Sequence, residues 1–211
     1  MRRYLYLHGF ASGPGSTKGV KFAAHYEAKG VALERLNLRV PSFEHLRLSA
    51  MIEVVRAAIG GPEDTAVIFG SSLGGLTAAR VAAVDARVEA LVLMAPAFQL
   101  AARWRDLLGD EYLAWQRTGW REVMDFTTQQ PARVDFGFVE DAAAIDVGEP
   151  DVRVPTVIVH GVNDETVPVA HSRRFAASRA NVKLVEVDDG HELIASVPRV
   201  IAEADALLAT I

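Results

Sequence analysis

The chain has 211 residues, 50 % of them hydrophobic and 23 % charged, with a formal net charge of -5. That is enough chain for one large core, and the interspersed charges leave no basic stripe for phosphates and no polybasic segment for a membrane surface, so neither nucleic acid nor membrane is an expected partner. The absence of cysteine excludes disulfides, thiolate metal sites and cysteine nucleophiles.

No break in composition divides the chain, so a single domain over 1–211 is expected. Residues 4–7 follow Met1-Arg2-Arg3 and meet His8-Gly9 at once, too short an apolar run for a signal peptide, and read as a first buried strand. No apolar stretch approaches the roughly twenty residues of a membrane helix, and a cytoplasmic protein is expected. The loop that follows contains Gly13-Pro14-Gly15-Ser16-Thr17-Lys18-Gly19, but its lysine precedes the last glycine. Phosphate-loop spacing therefore fails, and Lys18 reads as a solvated loop lysine.

Residues 33–38 form the next apolar run. Leu48, Met51, Ile52, Val55 and Ile59 then recur at three-and-four spacing and stop at Gly60-Gly61-Pro62, which predicts a crossover helix. Further runs at 66–69, 90–94, 156–159 and 182–187 are short, aliphatic and mostly non-alternating, as strands buried on both faces are. Helical patterns follow three of these runs, over 73–84, 169–178 and 198–208. Strand alternating with helix predicts an α/β fold with a mainly parallel sheet of about six strands flanked by helices. The exception is 98–150, which lacks that rhythm and holds Trp104, Trp115 and Trp120. It reads as a small helical cap insertion, with helices around Leu107-Leu108, Tyr112-Leu113 and Val123-Met124 and an irregular return through Phe136 and Phe138.

Chemistry enters at Gly70-Ser71-Ser72-Leu73-Gly74, where a buried strand runs through G-x-S-x-G into a helix. Such a turn strains its central residue and brings strand and helix so close that only glycine fits two places to either side. Ser72 is therefore the expected nucleophile; for Ser71 the flanking positions would be the bulky Phe69 and Leu73. A serine hydroxyl needs a base to take its proton. His191, in Asp188-Asp189-Gly190-His191-Glu192, lies after the last strand, on the edge where ligands meet an open α/β sheet. Asp164, in the loop after strand 156–159, is the expected carboxylate to orient it. Glu165 remains a competitor for the acid, and Asp188 or Asp189 for orienting His191. The order serine, acid, histidine is that of the α/β-hydrolase fold.

An oxyanion formed by attack of Ser72 needs two amide donors. Leu73, after the nucleophile, would supply one, and Phe10, in the loop after the first strand, the other. His8, Gly9, Phe98, Trp115 and Trp120 are candidate substrate-binding residues, although large aromatics in an insertion also serve as its anchor to the core. His8 and His160 each follow a strand, but neither has a partner at metal-ligand spacing, so no metal is expected. His25, His45 and His171 fall on helical patterns and read as surface residues.

Tyr6-Leu7-His8-Gly9-Phe10-Ala11-Ser12-Gly13-Pro14-Gly15-Ser16-Thr17-Lys18, together with Gly70-Ser71-Ser72-Leu73-Gly74-Gly75, resembles the YqiA-like bacterial esterases (UPF0227 type) of the α/β-hydrolase superfamily. Trp115-Gln116-Arg117-Thr118-Gly119-Trp120, His160-Gly161-Val162-Asn163-Asp164 and Asp189-Gly190-His191 are similar to that family's insertion, acid and histidine motifs. The resemblance spans the chain and implies a sheet without the first two strands of larger hydrolases, a modest cap, and esterase activity on short acyl esters without a cofactor. Ala11 departs from the Asn or Arg that relatives often carry after the phenylalanine. A thioesterase or deacylase would use the same triad, and Arg103, Arg105, Arg117 and Arg121 offer a basic rim for an acyl carrier. A non-catalytic binding module is the reading from another class, but it would be free to lose a triad member, and none is lost. A small-molecule acyl ester or thioester is the expected partner; oligomeric state is not legible.

Overall fold

A computed structural model describes residues 1–211. Six strands form one sheet in the order β2-β1-β3-β4-β7-β8: β1 (Arg2–Leu7), β2 (Leu33–Leu36), β3 (Thr65–Ser71), β4 (Val88–Met94), β7 (Thr156–Gly161) and β8 (Val182–Val187). Every neighbouring pair is parallel, with Tyr4 opposite both Leu33 and Val67. Parallel strands need a crossover and are covered on both faces, which is why these runs carry few polar residues. The strand order reverses between β1 and β3, and at such a switch point the loops beyond the strands' carboxyl ends diverge and leave a crevice.

Alternate strand residues supply two cores. Leu5, Leu7, Ile68, Leu91, Leu93 and Ile158 face α2 (Leu48–Ile59), α3 (Leu73–Val84) and α7 (Ala170–Ala177). On the opposite face, Tyr6, Val67, Phe69, Val92 and Val157 meet α1 (Thr17–Glu27) and α8 (Val197–Leu208). Helix α1 begins at a Ser16 cap, whose Oγ accepts from the Gly19 amide at 3.3 Å, and buries Phe22 and Tyr26 at i, i+4 spacing. No helix is long and apolar enough to cross a membrane.

Between β4 and β7 the chain leaves the sheet and makes α4 (Leu100–Leu108), α5 (Asp110–Thr118), β5 (Trp120–Asp125), β6 (Gln130–Asp135) and α6 (Gly137–Ile145). The expected helix around Val123-Met124 is instead a strand: β5 and β6 pair antiparallel, Trp120 opposite Asp135 and Asp125 opposite Gln130. Arg121, Glu122, Arg133 and Asp135 are polar enough to hide the alternation, and only Val134 and Asp125 of the hairpin are buried. The expected irregular return is likewise a helix, α6, which buries Phe138. His45 lies in a turn and not on a helix.

Candidate active site

The end of β3 turns into α3 at Ser72, whose φ of 53° and ψ of -113° lie outside the basins an L-residue ordinarily occupies. The flanking glycines explain how the turn closes. A Cβ on Gly70 would stand 2.5 Å from the Gly74 carbonyl oxygen, and one on Gly74 would collide with the Leu7 carbonyl at the end of β1. Main-chain bonds hold the strained turn from the β4 side: Ser72 N donates to the Met94 oxygen at 2.9 Å, and Ala97 N donates to the Ser72 oxygen at 3.0 Å.

Ser72 Oγ lies 3.0 Å from His191 Nε2, and His191 Nδ1 lies 2.7 Å from Asp164 Oδ2. Ser72 follows β3, Asp164 follows β7 and His191 follows β8, so the carboxyl ends of three parallel strands, with β4 between the first two, bring the side chains together at one edge of the sheet. Asp164 Oδ1 accepts from the amides of Thr166 and Val167 at 2.9 and 2.7 Å. Its Oδ2 also accepts from His160 Nε2 at 3.1 Å; that nitrogen faces a second acceptor, the Val167 oxygen at 2.8 Å, and so carries the ring hydrogen. Burial alone would raise the Asp164 carboxyl. The hydrogen bonds from His160, His191 and the Val167 amide outweigh it and hold the group well below the usual carboxylate range.

The competing acids are engaged elsewhere. Glu165 is exposed, Asp188 accepts from Asn163 Nδ2 at 2.8 Å, and Asp189 accepts from the Gly190 amide and from Ser196. Phe10, three residues beyond β1, and Leu73, the first residue of α3, line the same cavity as Ser72, and neither amide is taken by an acceptor within the chain. Gly9 packs so close that a Cβ there would come within 3.4 Å of Ser72 Cβ. No group of three or more histidine, aspartate or glutamate side chains is arranged to hold a metal ion.

A family model described as an uncharacterised protein family, UPF0227, matches residues 3–207. The chain belongs to that family. Its fold is that of the α/β-hydrolase superfamily, as three solved structures show. Mouse alpha/beta hydrolase domain-containing protein 10 is 19 % identical with a TM-score of 0.82, the match covering 98 % of this chain and 89 % of that one. Est1E from Butyrivibrio proteoclasticus, with ferulic acid bound, is 23 % identical at a TM-score of 0.78, covering 99 % and 90 %. The monoacylglycerol lipase of Paleococcus ferrophilus is 16 % identical at 0.75, covering 98 % and 93 %. No curated protein sequence matches the chain.

In this UPF0227 protein a cavity of about 700 Å³ opens over Ser72, between the loop after β1 and the inserted segment. Gly9 and Phe10 line it, but several expected substrate-binding residues do not. Trp115 is 1 % exposed, and its Nε1 donates to the Val134 oxygen at 3.0 Å, so it ties α5 to β6 beneath the cavity. Trp120 lies at the start of β5 under the Arg133 guanidinium, 4.2 Å from the ring centre. Phe98 stacks on Phe175 of α7 at 4.4 Å inside the core. The tryptophan that reaches the cavity is Trp104, edge-on to Phe10 at 5.0 Å.

His8 also faces away from the cavity. Its Nε2 accepts from the Leu38 amide at 3.0 Å, which leaves Nδ1 to donate to the Gly9 oxygen at 2.9 Å, and burial lowers its pKa. It thus pins the Gly9-Phe10 loop to the segment after β2. Lys18 is not a solvated loop lysine. It lies in α1, is 8 % exposed, lines the cavity and donates Nζ to the Glu192 oxygen at 2.7 Å. The β5–β6 turn contributes Phe126, Thr127 and Gln129 to the lining, and the Phe126 amide donates to the Ala11 oxygen at 2.9 Å.

Proposed function

We propose that this protein is a carboxylic ester hydrolase that works through an acyl-serine intermediate. The observation that carries the reading is the continuous hydrogen-bonded line from Ser72 Oγ through His191 to Asp164, set on a strained strand-to-helix turn. Ser72 Oγ attacks the acyl carbon while its proton passes to His191 Nε2, and the carbonyl electron pair moves onto oxygen. The amides of Phe10 and Leu73 stabilise that oxyanion, each for about 3 kcal/mol, and the start of α3 adds its helix dipole. Collapse expels the alcohol, which takes the proton from His191. Water then attacks the acyl-serine, gives its proton to His191, and the acid departs as Ser72 recovers its hydrogen.

Asp164 holds the imidazole with Nδ1–H toward itself and offsets the charge that forms on the ring in each half-reaction. The ester class is supported by the resemblance to YqiA-like esterases and by a fold shared with Est1E and the Paleococcus lipase. The cavity is lined by apolar Phe10, Leu100, Trp104 and Leu108 and suits a small acyl or aryl ester. Hydrolysis of 4-nitrophenyl esters from acetate to decanoate tests the reading. Wild type is expected to turn over, Ser72→Ala to fall by about six orders of magnitude or to background. Equal rates for the two proteins would overturn it.

A further inference from the structure

Two buried cations stand in the cavity wall with no carboxylate against them. Lys18 of α1, 8 % exposed, spends a donor on the Glu192 main-chain oxygen. Arg103 of α4, 9 % exposed, donates Nη1 to the Thr166 main-chain oxygen at 2.6 Å, and its Nε is buried with no acceptor. Main-chain oxygens carry only partial charge, and the carboxylates around the two cations, Glu192, Asp189 and Asp164 for Lys18 and Asp164 and Asp146 for Arg103, act on them through space without touching them, so each buried cation lacks a charged acceptor in contact.

The carboxylates in reach are committed to other groups. Asp164 is taken by two histidines and two amides, Asp189 by Ser196 and the Gly190 amide, and Asp146 by Arg80 and the Leu100 amide. The cavity lining also holds Arg121, which is paired with Glu111 at 3.1 Å, and one acid, Glu192, which is exposed. An apolar ester would bury Lys18 and Arg103 more deeply and leave both without a counter-charge in contact. An anionic oxygen would supply the acceptor each lacks.

We propose that the substrate carries, besides the ester bond, a second and negatively charged oxygen group held by Lys18 and Arg103. One cation comes from the helix after β1 and the other from the inserted segment, so the charged group would also draw the cap onto the sheet edge. This rests on the hydrolase reading for the bond that is cleaved, not for the charge that is bound.

Two ester pairs that differ by one charge test it. The first is mono-4-nitrophenyl adipate against its methyl-capped diester, followed by turnover. The second is monomethyl adipate against dimethyl adipate, followed by calorimetry on Ser72→Ala. The anionic member is expected to be favoured by about tenfold or more in kcat/KM and in affinity, a preference that Arg103→Gln and Lys18→Gln each cut by about fivefold. A wild-type ratio of one or less, or a preference kept in both variants, overturns the proposal. If one variant loses its thermal transition, the wild-type ratio and the other variant decide. If neither nitrophenyl adipate turns over, the acetate-to-decanoate series decides the hydrolase reading and the calorimetric pair alone decides this one: binding of the monoester only supports the anion site, and equal or absent binding overturns it.

Discussion

At Asp164 one carboxylate serves two histidines, and the division of labour is visible in its oxygens. Oδ1 is held by two main-chain amides, which fix the plane of the group, while Oδ2 faces His191 and His160. Replacement by asparagine keeps the shape but presents an amide that cannot offset an imidazolium, so Asp164→Asn is expected to lower kcat on a 4-nitrophenyl ester by about four orders of magnitude with little change in KM. An unaffected kcat would remove Asp164 from the proposed mechanism. Serine, aspartate and histidine were legible because each sits in a short motif beside a strand end, and the fold makes strand ends converge. Lys18 was not, because its burial is decided by the 191–194 loop, more than 170 positions away, which covers it. Phe98, Trp115 and Trp120 were misplaced for a related reason: their size signalled importance, but only the packed insertion shows which face of each element meets the cavity.

The turn through Ser72 shows at the scale of elements what two glycines achieve. Gly74 lets α3 start against the last peptide of β1, an approach on which the proposed pairing of the Phe10 and Leu73 amides depends. Gly74→Ala drives a Cβ into backbone that cannot swing aside and is expected to cost at least about 3 kcal/mol in urea unfolding, or to prevent folding. An alanine variant of wild-type stability would show that β1 and α3 have slack. The inserted segment makes a second case, in which Trp115 is the anchor: Trp115→Ala is expected to cost about 4 kcal/mol, against less than about 1 kcal/mol for the half-exposed Trp120→Ala. Comparable losses from both would mean that the hairpin, not α5, carries the insertion. Sheet strands and helices with a full apolar stripe were legible from their period. The hairpin escaped because its burial alternates by only one or two residues per strand, and α1 because its buried face is Lys18, Gly19, Phe22 and Tyr26, not an aliphatic row.

For the whole molecule the distribution of buried titratable groups sets how stability responds to acid. His8 and His171 are held below the ordinary histidine value, His8 by burial and then Arg39 against the Gly9 hydrogen bond, His171 by burial and then Arg103 and Arg174. Unfolded, each takes a proton near pH 6.5; folded, each does so only at lower pH. Between those values the unfolded chain binds more protons, so stability falls as pH falls, and their contribution is complete only above about 6.5. A second stage belongs to the carboxylates. The Arg87 hydrogen bond holds Asp85 at about 2, and Asp164, Asp135 and Asp125 also lie below their ordinary value. Their contribution is present above about pH 4 and is lost as pH drops through the depressed values. Asp146 runs the other way, since burial outweighs Arg80 and raises it, but it is one group against many. The thermal midpoint is therefore expected to hold steady from pH 8 to 7, decline gently below about 6.5 and fall steeply below about 4. His8→Gln should flatten part of the gentle stage and leave the steep one. A midpoint constant from pH 7 to 4.5 in wild type would mean that His8 and His171 titrate alike in the folded and unfolded chain, and that the pin between the Gly9-Phe10 loop and Leu38 does not depend on keeping His8 neutral.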